Sequence, residues 1–201
     1  LTTEEFLTQA NFTGWSFGSS PNSGTWFMIE GETRPFLQSE YSTTIANSHQ
    51  LQLMAMDLTA NYTLANNIDM SSDFTNASGM WATNTGAPTG RGFVPIGDYD
   101  NAFTGHFDGQ GHSISGFTVY REASNGGLFG YNQGVVSHVG LVDVDVSGAE
   151  NVGGLVGVNA GLVDDSFVTG DVSGSAWVGG LVGVNGSNKM GAINDSYAIA
   201  D

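Results

Sequence analysis

The sequence predicts an all-β fold, a right-handed parallel β-helix (a solenoid) with one short helix and a small N-terminal flanking unit. Three observations predict it. The phrase G-G-L-V-G-V-N starts at Gly153 and again at Gly179, and a looser copy, G-G-L-F-G-Y-N, starts at Gly126, so the steps are 27 and 26 residues. A near-constant interval of that size marks stacked repeats, in which no single unit can bury its apolar face without its neighbours. Each copy is also built from short apolar segments separated by Gly, Asn, Asp and Ser. Such segments fit strands, and the punctuation fits turns that admit a positive φ. Finally, glycines, leucines and asparagines all keep register from copy to copy, which an accidental likeness within an antiparallel sandwich would not require.

Stacking at about 4.8 Å sets Leu155 between Leu128 and Leu181. It also aligns Asn132, Asn159 and Asn185 into a ladder that satisfies turn backbone groups. The glycine pairs beginning at Gly126, Gly153 and Gly179 suit corners where a side chain would meet the next coil. Two irregularities are expected. The first copy holds one residue more than the second between its G-V-V and V-S-G, and the third carries an extra G-S-N-K-M-G before A-I-N-D-S-Y. Solenoids take such insertions at their corners.

Three regions follow from the pass along the chain. Residues 1–42 form the flanking or capping unit: Thr2 or Thr3 would cap a short helix running to Gln9, and F-T-G-W-S-F and T-W-F-M-I-E-G alternate like strands around a loop. Trp15 and Trp26 lie in these alternating stretches and are expected in the core. Residues 43–125 are irregular β-helix coils. Within them, residues 47–58 predict a helix capped by Asn47 or Ser48, with Leu51, Met54, Ala55 and Leu58 on one face. Y-T-L-A-N-N-I-D-M then reads as a strand and a turn, and the polar insertion at 71–92 as a loop. Residues 126–201 are the repeats.

Composition excludes several classes. The chain has 201 residues, 30 of them glycine and none cysteine, which removes thiol chemistry and any disulfide framework. Twenty acidic residues face four basic ones, a net charge of −16, so nucleic acid and anionic membranes are poor partners. No apolar run reaches the roughly 18 residues of a membrane-inserting helix. The opening L-T-T-E-E-F-L-T-Q-A does not read as a signal peptide, and the chain stops inside its third repeat, so it reads as a piece of a longer polypeptide.

G-G-L-V-G-V-N followed by V-D-D-S-F-V-T-G-D-V-S-G resembles the GLUG motif of very large bacterial surface and secreted proteins. Filamentous-haemagglutinin-like adhesins and the non-catalytic repeat regions of some immunoglobulin A metallopeptidases carry it. Y-T-L-A-N-N-I-D-M, F-V-P-I-G and F-T-G-H-F-D-G-Q-G-H-S-I-S-G-F-T-V resemble the coils that precede such repeats, and residues 1–42 the short unit that closes a block of them. The resemblance implies a non-catalytic segment of a large exported bacterial adhesin, secreted or at the cell surface, serving as stalk or binding repeat. Its partner would be a glycan or protein receptor on a host or surface.

The candidate chemistry is sparse. The alternative is a β-helical enzyme acting on polysaccharide or the non-catalytic appendage of a secreted peptidase, and Asp143 with Asp145 or Asp164 with Asp165 would be the enzyme's carboxylate pairs. As strand residues, Asp143 and Asp145 would share a solvated face opposite inward Val142, Val144 and Val146. An uronate-cleaving lyase would need clustered basic residues, and Arg34, Arg91, Arg121 and Lys189 are far apart in sequence. F-D-G-Q-G-H-S at 107–113 reads as a turn, and His106 and His112 lack the company of a zinc site. The one cofactor the acidic residues suit is calcium, with hard oxygens at Asp98 and Asp100, Asp143 and Asp145, and Asp164 and Asp165, although a solvated acidic surface also explains them. N-x-S/T sequons stand at Asn11, Asn61, Asn76, Asn185 and Asn194. Trp81, in the polar insertion, and Trp177, at a repeat corner, are the expected ligand-binding residues, each able to stack on a sugar. A threonine-rowed ice-binding face is excluded, since the aligned positions are Val, Asp and Gly.

Overall fold

The computed structural model describes residues 1–2, 4–75, 79–81, 92–121, 125–187 and 189–201. Its strands in chain order are β1 (Trp26–Phe27), β2 (Phe36–Leu37), β3 (Thr44–Ile45), β4 (Asn61–Leu64), β5 (Ile68–Asp69), β6 (His106–Asp108), β7 (Ser113–Ser115) and β8 (Thr118–Arg121). The repeats add β9 (Phe129–Asn132), β10 (Val135–Ser137), β11 (Gly140–Gly153), β12 (Val156–Asn159), β13 (Leu162–Asp164) and β14 (Phe167–Gly179). The last coil holds β15 (Val182–Asn185), β16 (Ala192–Asn194) and β17 (Tyr197–Ala200). Among the described residues one α-helix, α1 (Ser48–Leu53), follows β3.

Three parallel sheets make the walls of the solenoid. The first runs β16-β13-β10-β6-β4-β3, the second β17-β14-β11-β7-β5 with β8 also on β11, and the third β15-β12-β9. Each of the three repeat coils contributes a strand to each wall in turn, so the repeat interval is one circuit of the chain. Among the described residues, the earlier coils reach the third wall only through the bridges of Ile96 to Phe129 and Phe103 to Asn132. The registers make this explicit: Val136 pairs with Phe107 on one side and Val163 on the other, while Val156 pairs with Phe129 and Val182. Leu128 and Leu155 are fully buried, and the Leu155 amide donates to the Leu181 carbonyl at 3.0 Å. Gly153 shows why its position excludes a side chain, since a Cβ there would lie 2.3 Å from the Val156 carbonyl oxygen.

The extra residue of the first copy is absorbed as a β-bulge. Register between β11 and β14 shifts between Leu141 and Val144, where Val142 and Asp143 oppose a single residue, and Asp143 takes φ 52°. The third copy's insertion lies between β15 and β16, with Met190 95% exposed, so the loop stands clear of the coil.

The interior changes along the axis. The later repeats fill it with Val and Leu; the earlier coils use Phe93, Phe103, Phe107, Phe117 and Tyr62, and Phe129 of the first repeat packs on Phe103 and Phe107. Burial and a hydrogen bond to Tyr41 raise the Tyr62 phenol far above its ordinary pKa. The helix is shorter than 47–58. Asn47 caps it by accepting from the Gln50 amide at 2.9 Å, but a 3-10 turn at Met54–Met56 replaces its second half. The tighter winding turns Leu53 and Met56, three apart, into the core beside Leu51 and Met54.

The flanking unit differs more from its expectation. Two 3-10 turns, Glu5–Leu7 and Gln9–Asn11, stand where one helix was expected. Of the two alternating stretches only Trp26–Phe27 forms a strand, antiparallel to β2, with Phe17 bridged to Trp26. Phe27 and Phe36 join the main core, but Trp15 is 42% exposed and stacks on half-buried Trp26 at 4.1 Å. Too few strands flank this segment to close a second face over the indole.

Candidate functional site

The corners of the solenoid hold its most constrained polar groups. Asn132 Nδ2 donates to Asn159 Oδ1 at 2.8 Å, and Asn159 Nδ2 donates to Asn185 Oδ1 at 2.9 Å. Asn132 and Asn159 are fully buried, and their Oδ1 atoms also accept from the Gly134 and Gly161 amides. Asn185 is committed on both sides of its amide, since Nδ2 reaches the Gly191 carbonyl, which leaves that sequon a poor site for glycosylation. Asn76 lies outside the described residues. A second ladder escaped the sequence reading: Asn151 Nδ2 donates to Asn125 Oδ1 at 2.9 Å. The 26-residue spacing of Asn125 and Asn151 was its available signal.

Trp177 is the next rung of this second ladder, because Glu150 pairs with Ala176 and Val152 with Val178. Asn125, Asn151 and Trp177 all have left-handed backbones, with φ of 72°, 54° and 51°. Asn tolerates that conformation, whereas for a bulky side chain it costs of order 1–2 kcal/mol. Trp177 is therefore strained, and it is 61% exposed. Trp81 is a correction. It is 3% exposed, packed among Phe36, Phe74 and Phe93, and its Nε1 donates to Gln52 Oε1 at 2.8 Å. Buried Gln52 also bonds both backbone polar groups of Val94, so this tryptophan anchors the insertion to α1 and offers no surface to a ligand.

The acidic pairs are not equivalent. Asp98 Oδ1 accepts from the Asp100 and Asn101 amides, which makes it the brace of its own turn. Asp143 and Asp145 do not share a regular strand face, as expected from alternation, because Asp143 is the bulged residue and Val142 is only half-buried; Leu141, Val144 and Val146 are the inward residues. Asp145 accepts from the Tyr120 hydroxyl, and this bond, with burial, pushes the phenol up to about 12. Asp164 ends β13, while Asp165 turns the corner with φ 40° and lines an open trough with Asp108 and His138. Burial pushes the Asp108 carboxyl up, but the Gln110 amide and His138 Nδ1, at 2.9 and 3.1 Å, outweigh it and hold the group below its ordinary value. Among the described residues no three His, Asp or Glu side chains converge to hold a metal ion. Within 107–113 the residues between the end of β6 and the start of β7 form the turn, with Gln110 and Gly111 at φ 54° and 77°. His106 and His112 face Ser137 and Asn67 respectively.

With this geometry in view, the comparisons with known proteins can be placed. Residues 148–173, the end of β11 through much of β14, match the family model of the GLUG motif. The chain contains a GLUG repeat region. A stretch of 84 residues, 39% of the chain, is 42% identical to a protein named as a Gly-rich membrane protein from Evansella cellulosilytica, and covers 10% of it. A stretch of 87 residues, 40% of the chain, is 40% identical to Halomucin from Haloquadratum walsbyi, and covers 1% of it. The fold resembles the crystal structure of a protein described as an immunoglobulin A1 protease from Bacteroides ovatus, with a TM-score of 0.61 at 21% identity, over 91% of this chain and 52% of that one. At that identity the likeness is one of fold. The matched stretches are thus small parts of the curated relatives, and the chain spans about half of the solved structure. Among the described residues, no helix is long and apolar enough to cross a membrane.

Proposed function

We propose that this chain is a non-catalytic β-solenoid segment of a large exported protein of the filamentous-haemagglutinin-like kind, acting in surface or cell adhesion as stalk and binding repeat. The observation that carries the reading is one of proportion: stretches of 84 and 87 residues of this GLUG-containing chain align with 10% and 1% of two longer relatives, one of them named for a membrane. A module of that kind repeats within long chains, and a stack held rung to rung by Asn132, Asn159 and Asn185 suits a rigid spacer. Trp177, strained and exposed at a corner, is a binding residue in this reading. Calcium, if it takes part, bridges Asp143, Asp145, Asp164 or Asp165 to a ligand rather than filling a cage within the chain.

The test is binding of the purified, labelled chain to a glycan array, in calcium and again in chelator, with oligosaccharide release assayed in parallel. Saturable binding without release is the expected result, and loss in chelator would add calcium to the site. Release of cleaved sugar would replace the proposal with a polysaccharide-active enzyme.

A further inference from the structure

One corner breaks the repeat, and a cleft lies beside it. Where the second and third copies read Asp165-Ser166-Phe167 and Asp195-Ser196-Tyr197, the first reads His138-Val139-Gly140. Register sets Gly140 beside Phe167 and Phe167 beside Tyr197. Leu141 and Val168, the next residues along, are fully buried, so strand alternation turns Gly140, Phe167 and Tyr197 outward. The two rings stack at 5.5 Å with planes 10° apart. Gly140 leaves this outward row one side chain short.

Beside this corner lies a trough of about 500 Å³, within the range of about 300–1,000 Å³ typical of ligand sites. Its floor is Val139 and Gly140, and the Phe167 ring forms one wall. That ring leans over the glycine, since a Cβ on Gly140 would lie 2.3 Å from Phe167 Cζ. The Gln110–Gly111 turn, Asp108, His138 and Asp165 supply the polar lining. Asp108 is held ionised by the Gln110 amide and His138, so its carboxylate is a fixed acceptor.

We propose that this trough is a binding subsite for an uncharged saccharide unit. An aromatic wall set among carboxylates, an amide and an imidazole matches a ligand with an apolar C–H face and a hydroxyl edge. Asp108 and Asp165 accept from hydroxyls, and Phe167 stacks on the ring. Among the described residues neither Lys nor Arg lines the trough, and the chain carries −16, so uronate and sulfated sugars are repelled. The subsite rests on the adhesive reading above and gives it a place and a ligand class.

The test titrates the folded chain against neutral and uronate-bearing oligosaccharides, with backbone amide shifts followed by NMR. Shifts confined to Gln110, Gly111, His138 and Gly140 on adding neutral sugars are expected, with no response to uronates. Gly140→Thr, whose side chain would meet the Phe167 ring and push it from its place in the trough wall, and Phe167→Leu, which keeps apolar packing but removes the ring, should each weaken binding about tenfold or more. Array binding that persists unchanged in both folded variants, with shifts elsewhere, would overturn the subsite while leaving the adhesive reading intact. Silence from the folded native chain would overturn the subsite and the binding half of that reading together, leaving a stalk. Preference for uronates would overturn the ligand class.

Discussion

Asn132 stacks on Asn159 in the repeat coils, whereas one coil earlier the residue bridged to Asn132 is Phe103. The same wall thus changes from a polar rung to an aromatic one within a single step of the solenoid. Beyond Phe103 the interior becomes crowded with rings, and Trp81, α1 and Gln52 seal it. The contrast teaches that a coil stack can be held in two ways. Identical neighbours satisfy one another by repetition, each amide donating to the next. Dissimilar neighbours must interlock by shape, so each large side chain depends on its own particular surroundings.

Substitutions can break that contrast, and the largest effect belongs to the centre of the repeats. Leu155→Asp puts a carboxylate into a fully buried stack and should abolish cooperative folding, checked by circular dichroism and thermal melting. A folded, cooperative variant would refute the register. Trp81→Ala should cost about 3–5 kcal/mol, because the ring leaves a cavity and Gln52 loses a donor. Asn159→Ala should cost about 3 kcal/mol by taking from Asn132 Nδ2 its shortest bond, leaving only carbonyls at 3.4 Å, and by stranding the Gly161 amide in a buried site. The same change at exposed Asn185 should cost under about 1 kcal/mol, and equal losses at both positions would deny that burial sets the strength of the ladder.

Smaller effects sharpen the picture. Trp177→Asn continues the Asn125–Asn151 rungs and suits φ 51°, so urea melts should show a gain of about 0.5–1 kcal/mol. If the same variant binds glycans less well, the strain at Trp177 is tied to function. Asp145→Asn should return the Tyr120 phenol from about 12 toward 10.0, read by ultraviolet absorbance. The raised phenol contributes stability that is complete below pH 10 and lost as pH climbs through about 12. Asp108 acts at the other end of the scale: its lowered carboxyl stabilises the fold above the ordinary value of 3.8, and the contribution disappears as pH falls through the lowered one. Asp108→Asn should flatten that acid limb of the stability profile.

Legibility in the sequence followed the same divide. Where neighbours are identical, spacing alone located the coils, the leucine stack and the position of the Asn132 ladder. Where neighbours differ, local pattern misled. Trp81 sits in a polar stretch and looks exposed, yet its environment is assembled from Phe36, Gln52 and Phe93, distant in sequence. Asp143 and Asp145 look like one strand face, but the one-residue length difference between copies bulges Asp143 out of the alternation. Helix periodicity carried through Leu58 because winding to 3-10 geometry keeps the same residues apolar while changing which of them face inward. Gly140 was visible as a departure from the aromatic of the other copies, and only the register shows that it makes room for the Phe167 ring that walls the trough.

The central claim is that the 26-residue interval is one coil, stacked in register. Ser147 on β11 pairs with Ser173 on β14, 26 residues on, and the chain has no cysteine to interfere. Adjacent strands at about 4.8 Å bring such a pair within disulfide reach. The measurement is oxidation of the Ser147→Cys/Ser173→Cys variant, against Ser147→Cys/Val172→Cys, whose second residue points to the opposite face. The account predicts a near-complete crosslink in the first and free thiols in the second. A crosslink that prefers the offset pair, or forms in neither, would contradict the stacked register on which the rest depends.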